Sequence, residues 1–159
     1  MNKRAVIKKI TAKLASELEV YFRAAQYARA EATHEQNKAE NKYDTRGLEA
    51  SYLARGQSRQ AAELESAIAE FEKLSARKFT DADPINVGAL LSLQVGGETL
   101  YYFLGPKAGG TEILHDRTEI LVITPQSPLG EQLMGRKTGD EPHLNFGGTK
   151  QPAKIVSVE

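Results

Sequence analysis

The sequence predicts an α+β protein in which an antiparallel coiled-coil helical hairpin is followed by a small antiparallel β domain carrying one short helix. Three observations support this. Two apolar seams repeat at helical spacing on either side of a polar stretch, a proline-bearing break follows near residue 80, and short β-type segments punctuated by Gly-Gly come after it.

The first seam comprises Ile7, Thr11, Leu14, Leu18, Tyr21, Ala25, Ala28 and Ala32, which step by four and three along one helix face. Gly47, Ala50, Ala54, Gln57, Ala61, Leu64, Ile68 and Phe71 answer it, and from His34 to Lys42 no apolar residue is larger than Ala39. Helix one is expected from Lys3 to Thr33 and helix two from Lys38 to Arg77. Both runs lack proline, and Gly47 and Gly56 soften the second by about 1 kcal/mol each relative to alanine. Large residues are expected to pair at the base (Ile7, Leu14 and Leu18 with Leu64, Ile68 and Phe71), and small ones to meet toward the tip. At about 1.5 Å per residue, arms of roughly 30 residues reach about 45 Å.

Residues 79–83 read as a linker ending at Pro84, which divides the chain into a hairpin over 1–78 and a compact domain over 84–159. Strands are expected at Val87 to Val95, Thr99 to Leu104 and Glu119 to Thr124, with weaker candidates at His143 to Phe146 and Ala153 to Val158. Gly96-Gly97 forms a hairpin turn between the first two. Ser127 is a good N-cap and Pro128 suits the first helical position, so a short helix is expected from Leu129 to about Arg136.

Composition narrows the chemistry. Without cysteine there are no disulfides, thiolate nucleophiles or sulfur-bound zinc, and His34, His115 and His143 lack metal-ligand spacing. No run of eighteen apolar residues exists and the N-terminus lacks a signal peptide's apolar block, so a cytoplasmic protein with no membrane partner is expected. Residues 1–78 hold 15 Lys/Arg against 11 Asp/Glu and residues 79–159 hold 6 against 10, making the halves +4 and −4. Four excess charges spread over two long helices read as a solvated face and do not by themselves indicate nucleic-acid binding.

The stretch Ser127-Pro128-Leu129-Gly130-Glu131-Gln132-Leu133-Met134-Gly135-Arg136-Lys137-Thr138-Gly139-Asp140 closely resembles the C-terminal signature of the Gre family of bacterial transcription elongation factors. Tyr101-Tyr102-Phe103-Leu104-Gly105 and Asn86-Val87-Gly88 extend the resemblance over nearly all of residues 84–159, and Glu40-Asn41 followed by Tyr43 matches the family's hairpin tip. The resemblance implies an FKBP-like C-terminal domain that docks on RNA polymerase at the rim of its secondary channel through Gln126, Ser127 and Pro128. It also implies a hairpin that enters the channel toward nascent RNA and DNA, with the protein itself not an enzyme. The acidic tip would share the magnesium ion of the polymerase's active centre, so the chain needs no cofactor of its own.

The family's tip typically reads Gly-Asp-Leu-Lys-Glu-Asn, which falls here on Gln36-Asn37-Lys38-Ala39-Glu40-Asn41. Glu40 and Asn41 match, whereas the aspartate has become Asn37. Glu40 is thus the expected metal-facing carboxylate, and Asp44, one helical turn later, is a candidate helper, as is Glu35. Two mechanisms stay open: stimulation of transcript cleavage through Glu40, and occupation of the secondary channel without cleavage. The FKBP-like fold also raises a peptidyl-prolyl isomerase, against which stand the absence of tryptophan and the few aromatics outside Tyr101 to Phe103 and Phe146. A dimeric adaptor is a third class. The seams pair internally and leave Val20, Phe22 and Leu53 outward, which favours a monomer.

Overall fold

The computed structural model describes residues 1–36 and 53–159. In chain order these form α1 (Lys3–Gln36), α2 (Arg55–Lys73), β1 (Leu90–Val95), β2 (Glu98–Leu104), β3 (Glu112–His115), β4 (Thr118–Ile123), α3 (Pro128–Leu133), β5 (His143–Phe146) and β6 (Thr149–Val158). The expected α+β class is observed, with long helices first and then a sheet with one short helix. The chain groups into two compact units, Ala12–Ile68 and the combination of Met1–Thr11 with Ala69–Glu159.

In the unit Ala12–Ile68, Leu18, Ala25, Leu53 and Ala61 form a buried cluster against which Tyr21, Phe22, Leu64 and Ile68 pack. Alanines at two of the four buried positions make this core small, so its apolar burial contributes less than a leucine-lined seam would. Two outward assignments are corrected: Leu53 is buried and Phe22 packs against the cluster, whereas Val20 is 65% exposed. The expected continuous helix from Lys38 is also broken, because Leu53 and Ala54 are not helical and α2 begins at Arg55. The Ala54 carbonyl accepts the Ser58 amide at 2.9 Å and the Gln57 side-chain oxygen accepts the Ala54 amide at 3.3 Å, which makes Ala54 the cap of α2. The start at Lys38, and Gly47 and Ala50 of the second seam, lie outside the described residues.

In the other unit the six strands are ordered β3-β4-β2-β1-β6-β5. β1 and β2 form the expected hairpin, with Gly96 and Gly97 both at positive φ, 55° and 87°. This pair of left-handed residues matches the twist of the flanking strands. The sheet is mixed and not wholly antiparallel: β2 runs parallel to β4, from Tyr101 opposite Ile120 to Leu104 opposite Ile123. Such a pair needs a crossover, and here the connection contains β3, which pairs back onto β4 through a turn at Asp116 and Arg117 with φ of 49° and 64°.

One face of the sheet carries the core formed by Ile85, Leu91, Leu93, Leu104, Ile123, Leu144 and Ile155, closed by Leu133 of α3 with Leu129 and Met134 beside it. Elsewhere in this unit Phe71 approaches Phe103 with ring centroids 6.0 Å apart. That approach needs a glycine, because a Cβ on Gly105 would stand 2.7 Å from the Phe71 ring. Lys9 donates to the Leu114 carbonyl at 3.0 Å, an exposed bond that links α1 to β3. In these turns of α1 Val6 and Ile10 are fully buried, whereas the predicted seam residues Ile7 and Thr11 are half-buried.

Helix α2 stops at Lys73 instead of Arg77, eleven residues before Pro84, so the proline does not end it. Tertiary contacts compete with the helix instead: the Arg77 carbonyl accepts the Lys3 ammonium, and Lys3 and Arg77 both lie over the Phe79 ring, at 4.6 and 4.9 Å. Asp83 then folds the chain into a turn, accepting the Thr80 amide and hydroxyl at 2.8 Å each and pairing with Arg77 at 3.1 Å. These donors hold its carboxyl below the usual carboxylate range, the Thr80 amide being the largest cause.

Candidate functional site

The loop before α3 is built around one hydroxyl. Ser127 has extended backbone geometry and caps the helix: its Oγ accepts the Gly130 amide at 3.2 Å and the Thr124 amide at 3.2 Å, and donates to the Thr124 carbonyl at 2.7 Å. Pro128 then occupies the first helical position, where its missing N–H costs nothing. Gly130 allows the loop to close, because a Cβ there would lie 1.8 Å from the Thr124 carbonyl oxygen. The loop is therefore rigidly tied to the helix it precedes.

Three further residues fasten the helix and the segment after it, to β5 and to the stretch before β1. The Gln132 side chain accepts the Asn145 amide at 2.7 Å and donates to the Asn145 carbonyl at 3.2 Å, which pairs α3 with β5 as a strand would. The Gly135 amide donates to the Ile85 carbonyl at 3.0 Å, and the Ile85 amide returns a bond to the Arg136 carbonyl at 2.7 Å. Gly135 sits at φ 80°, a conformation that favours glycine.

Of the residues expected to dock, Gln126 and Pro128 are exposed, whereas Ser127 is partly buried and spends its hydroxyl inside the loop. Glu131 is also exposed on the first turn of α3. Ser127 thus positions the surface that Gln126 and Pro128 present. Asn37, Glu40, Asn41 and Asp44, the expected tip residues, lie outside the described residues, and Glu35 lies in the last turn of α1. Among the described residues no group of three or more His, Cys, Asp or Glu could hold a metal ion, and no helix is long and apolar enough to cross a membrane.

A feature the sequence reading did not anticipate lies across β2, β3 and β4. An open cleft of about 540 Å³ exposes Leu114 and takes in Leu100, Tyr101 and Leu121, with Glu112 and Glu119 beside them. Tyr102 also lines it, and burial pushes that phenol up from its ordinary value. Finding the cleft from sequence required β3, whose four residues and glycine-free turn give little signal.

Over 81 residues the chain is 31% identical to transcription elongation factor GreA of Streptococcus suis, in strains 05ZYH33 and 98HAH33 alike. The alignment takes in 49% of this chain and 46% of the relatives, so the chain spans about half the length of the curated relatives it matches. Among solved structures, GreA factor homolog 1 (Gfh1) of Thermus thermophilus aligns over 94% of both chains with 22% identity and a TM-score of 0.40. Gfh1 of Thermus aquaticus aligns over 95% of this chain and 94% of its own, with 23% identity and a TM-score of 0.40. No protein-family profile matches.

Proposed function

We propose that this chain, similar over about half its length to the Gre transcription elongation factors, is an accessory factor of RNA polymerase and not an enzyme in its own right. The observation that carries the docking half of the proposal is the presentation of Gln126 and Pro128 on a loop that Ser127 and Gly130 hold in one conformation. A preorganised loop meets a partner with less ordering cost than a mobile one, so a small exposed contact can suffice for binding. The N-terminal helices supply the second half. The 34 residues of α1 alone rise about 50 Å, a length suited to carrying a tip away from its base and into the secondary channel.

At that tip the residue types matter more than their number. Magnesium takes hard oxygen ligands, and of the aligned tip residues Glu40 offers a carboxylate while Asn37 offers only a neutral carbonyl. Asn37 in place of the family's aspartate removes one negative charge where a dication would be met. This favours occupation of the channel with weak or no stimulation of cleavage, in place of strong stimulation through Glu40 with Asp44 as helper.

The test is transcript cleavage by backtracked RNA polymerase in the presence of the wild-type protein, Glu40→Ala and Asn37→Asp. Occupation without cleavage predicts no shortened RNA from wild type and a gain with Asn37→Asp. Efficient wild-type cleavage, abolished by Glu40→Ala, would overturn that reading in favour of the stimulating one.

A further inference from the structure

Helix α3 is too short to hold its own shape. Its six residues make less than two turns, and a helix of that length keeps its geometry only through contacts outside it. At its start Ser127 supplies the cap, and beyond its end Gly135 and Arg136 bond to Ile85. Between these anchors stands one amide side chain. Gln132 Nε2 donates to the Pro128 carbonyl at 2.9 Å and to the Asn145 carbonyl at 3.2 Å, while its oxygen accepts the Asn145 amide at 2.7 Å. Both hydrogens of the amide are thereby used. Turning the group over would set its oxygen against two carbonyl oxygens, so its partners fix its orientation.

The anchor on the far side is equally determined. β5 ends the strand order, and Gln132 takes the Asn145 amide and carbonyl that a further strand would pair. Asn145 Oδ1 accepts the Gly148 amide at 2.8 Å, which closes the turn between β5 and β6 with Gly147 and Gly148 at φ 60° and 97°. A single side chain therefore ties Pro128, one of the two exposed residues of the loop before α3, to the backbone of this turn.

We infer that Gln132 is a positioning residue for the contact with polymerase: acting through the Pro128 carbonyl, it holds the presented loop in the conformation that the partner meets. The inference rests on the docking reading given above. Such a residue acts on affinity through preorganisation, since a loop released from it must be ordered again on binding. Its effect on affinity is separate from its share of global stability, because a chain weakened by one set of hydrogen bonds is still almost wholly folded at room temperature.

Affinity for RNA polymerase core, measured beside the melting temperature, tests this with three variants. Gln132→Ala removes the amide, and Gln132→Met keeps its length without its hydrogen bonds. Ser157→Ala leaves the buried Ser92 hydroxyl without the Ser157 hydroxyl 2.6 Å away, at a similar cost in stability but on β1 and β6. Both Gln132 variants should bind core about tenfold more weakly than wild type and exchange the Gly130 amide hydrogen faster, whereas Ser157→Ala should melt at a similarly lowered temperature and bind as wild type does. The inference is overturned by a Gln132→Met variant that binds as tightly as wild type, by a Gly130 amide that exchanges no faster in it, or by equal weakening in Ser157→Ala, which would make stability the cause. Failure of wild type itself to bind core would overturn the docking reading and this inference with it, while a binding wild type matched by Gln132→Met overturns the inference alone.

Discussion

Replacing Gly130 by alanine drives a methyl group into the loop that carries the candidate docking residues. The new Cβ would stand 1.8 Å from the Thr124 carbonyl oxygen, 2.8 Å from its carbon and 2.9 Å from Ser127 Oγ, where ordinary contact begins near 3.4 Å. The obstacle is backbone and cannot rotate away. The carbonyl that must move also accepts the Ser127 hydroxyl and amide, so the cap loosens as the methyl enters. Losing an N-cap costs about 1 kcal/mol and overpacking about 1–3 kcal/mol, while alanine regains up to about 1 kcal/mol of helix propensity. The net cost is about 2 kcal/mol, which for a chain of this length lowers the melting temperature by about 4–8 °C in a calorimetric scan. Because Ser127→Ala attacks the same cap, the double variant should fall short of the sum of the two single effects. A melting temperature for Gly130→Ala within about 1 °C of wild type, or full additivity with Ser127→Ala, would refute the reasoning.

Phe71→Ala removes a fully buried ring packed on Phe103 and against Gly105, and should cost about 3–5 kcal/mol in urea denaturation, as large-to-small core changes do. Gln132→Ala removes both bonds to the Asn145 backbone at little cost in buried area, so a loss of about 1 kcal/mol should accompany faster hydrogen exchange at the Asn145 amide. Since the folded-state pKa of Tyr102 is raised by burial, its contribution is fully present below the ordinary phenol value of 10.0 and is lost as pH rises through the folded value. Melting curves between pH 8 and 11 should therefore fall less steeply for Tyr102→Phe than for wild type.

What the sequence disclosed depended on whether the signal was local. The Gly96-Gly97 hairpin and the Ser127-Pro128 helix start were legible because turn and cap chemistry is written in adjacent residues. β3 was not, since Asp116 and Arg117 adopt left-handed conformations without the glycine or asparagine that usually marks such a turn. Leu53 is buried, although a continuous helix through it would turn it outward. The chain is non-helical at Leu53 and Ala54, so helical spacing does not set which way these two residues face. Ile7 and Thr11 yield burial to Val6 and Ile10 because the seam pattern presumes a helix partner alone, whereas Met1–Thr11 belongs to the unit that contains the sheet. At the candidate site the capping role of Ser127 was readable, but the fastening of α3 by Gln132 to β5 joins residues thirteen apart and leaves no periodic trace.

The central claim is that the loop at Gln126 to Pro128 meets RNA polymerase, and co-purification of the full chain with polymerase core, comparing wild type with Pro128→Glu, addresses it most directly. Glutamate is favourable at the first turn of a helix, so this substitution should leave the cap intact while changing only the presented surface. The account predicts that wild type is retained on the polymerase and that Pro128→Glu, with an unchanged melting temperature, is lost. A wild-type protein that fails to bind polymerase core, or a Pro128→Glu variant retained as well as wild type, would contradict it.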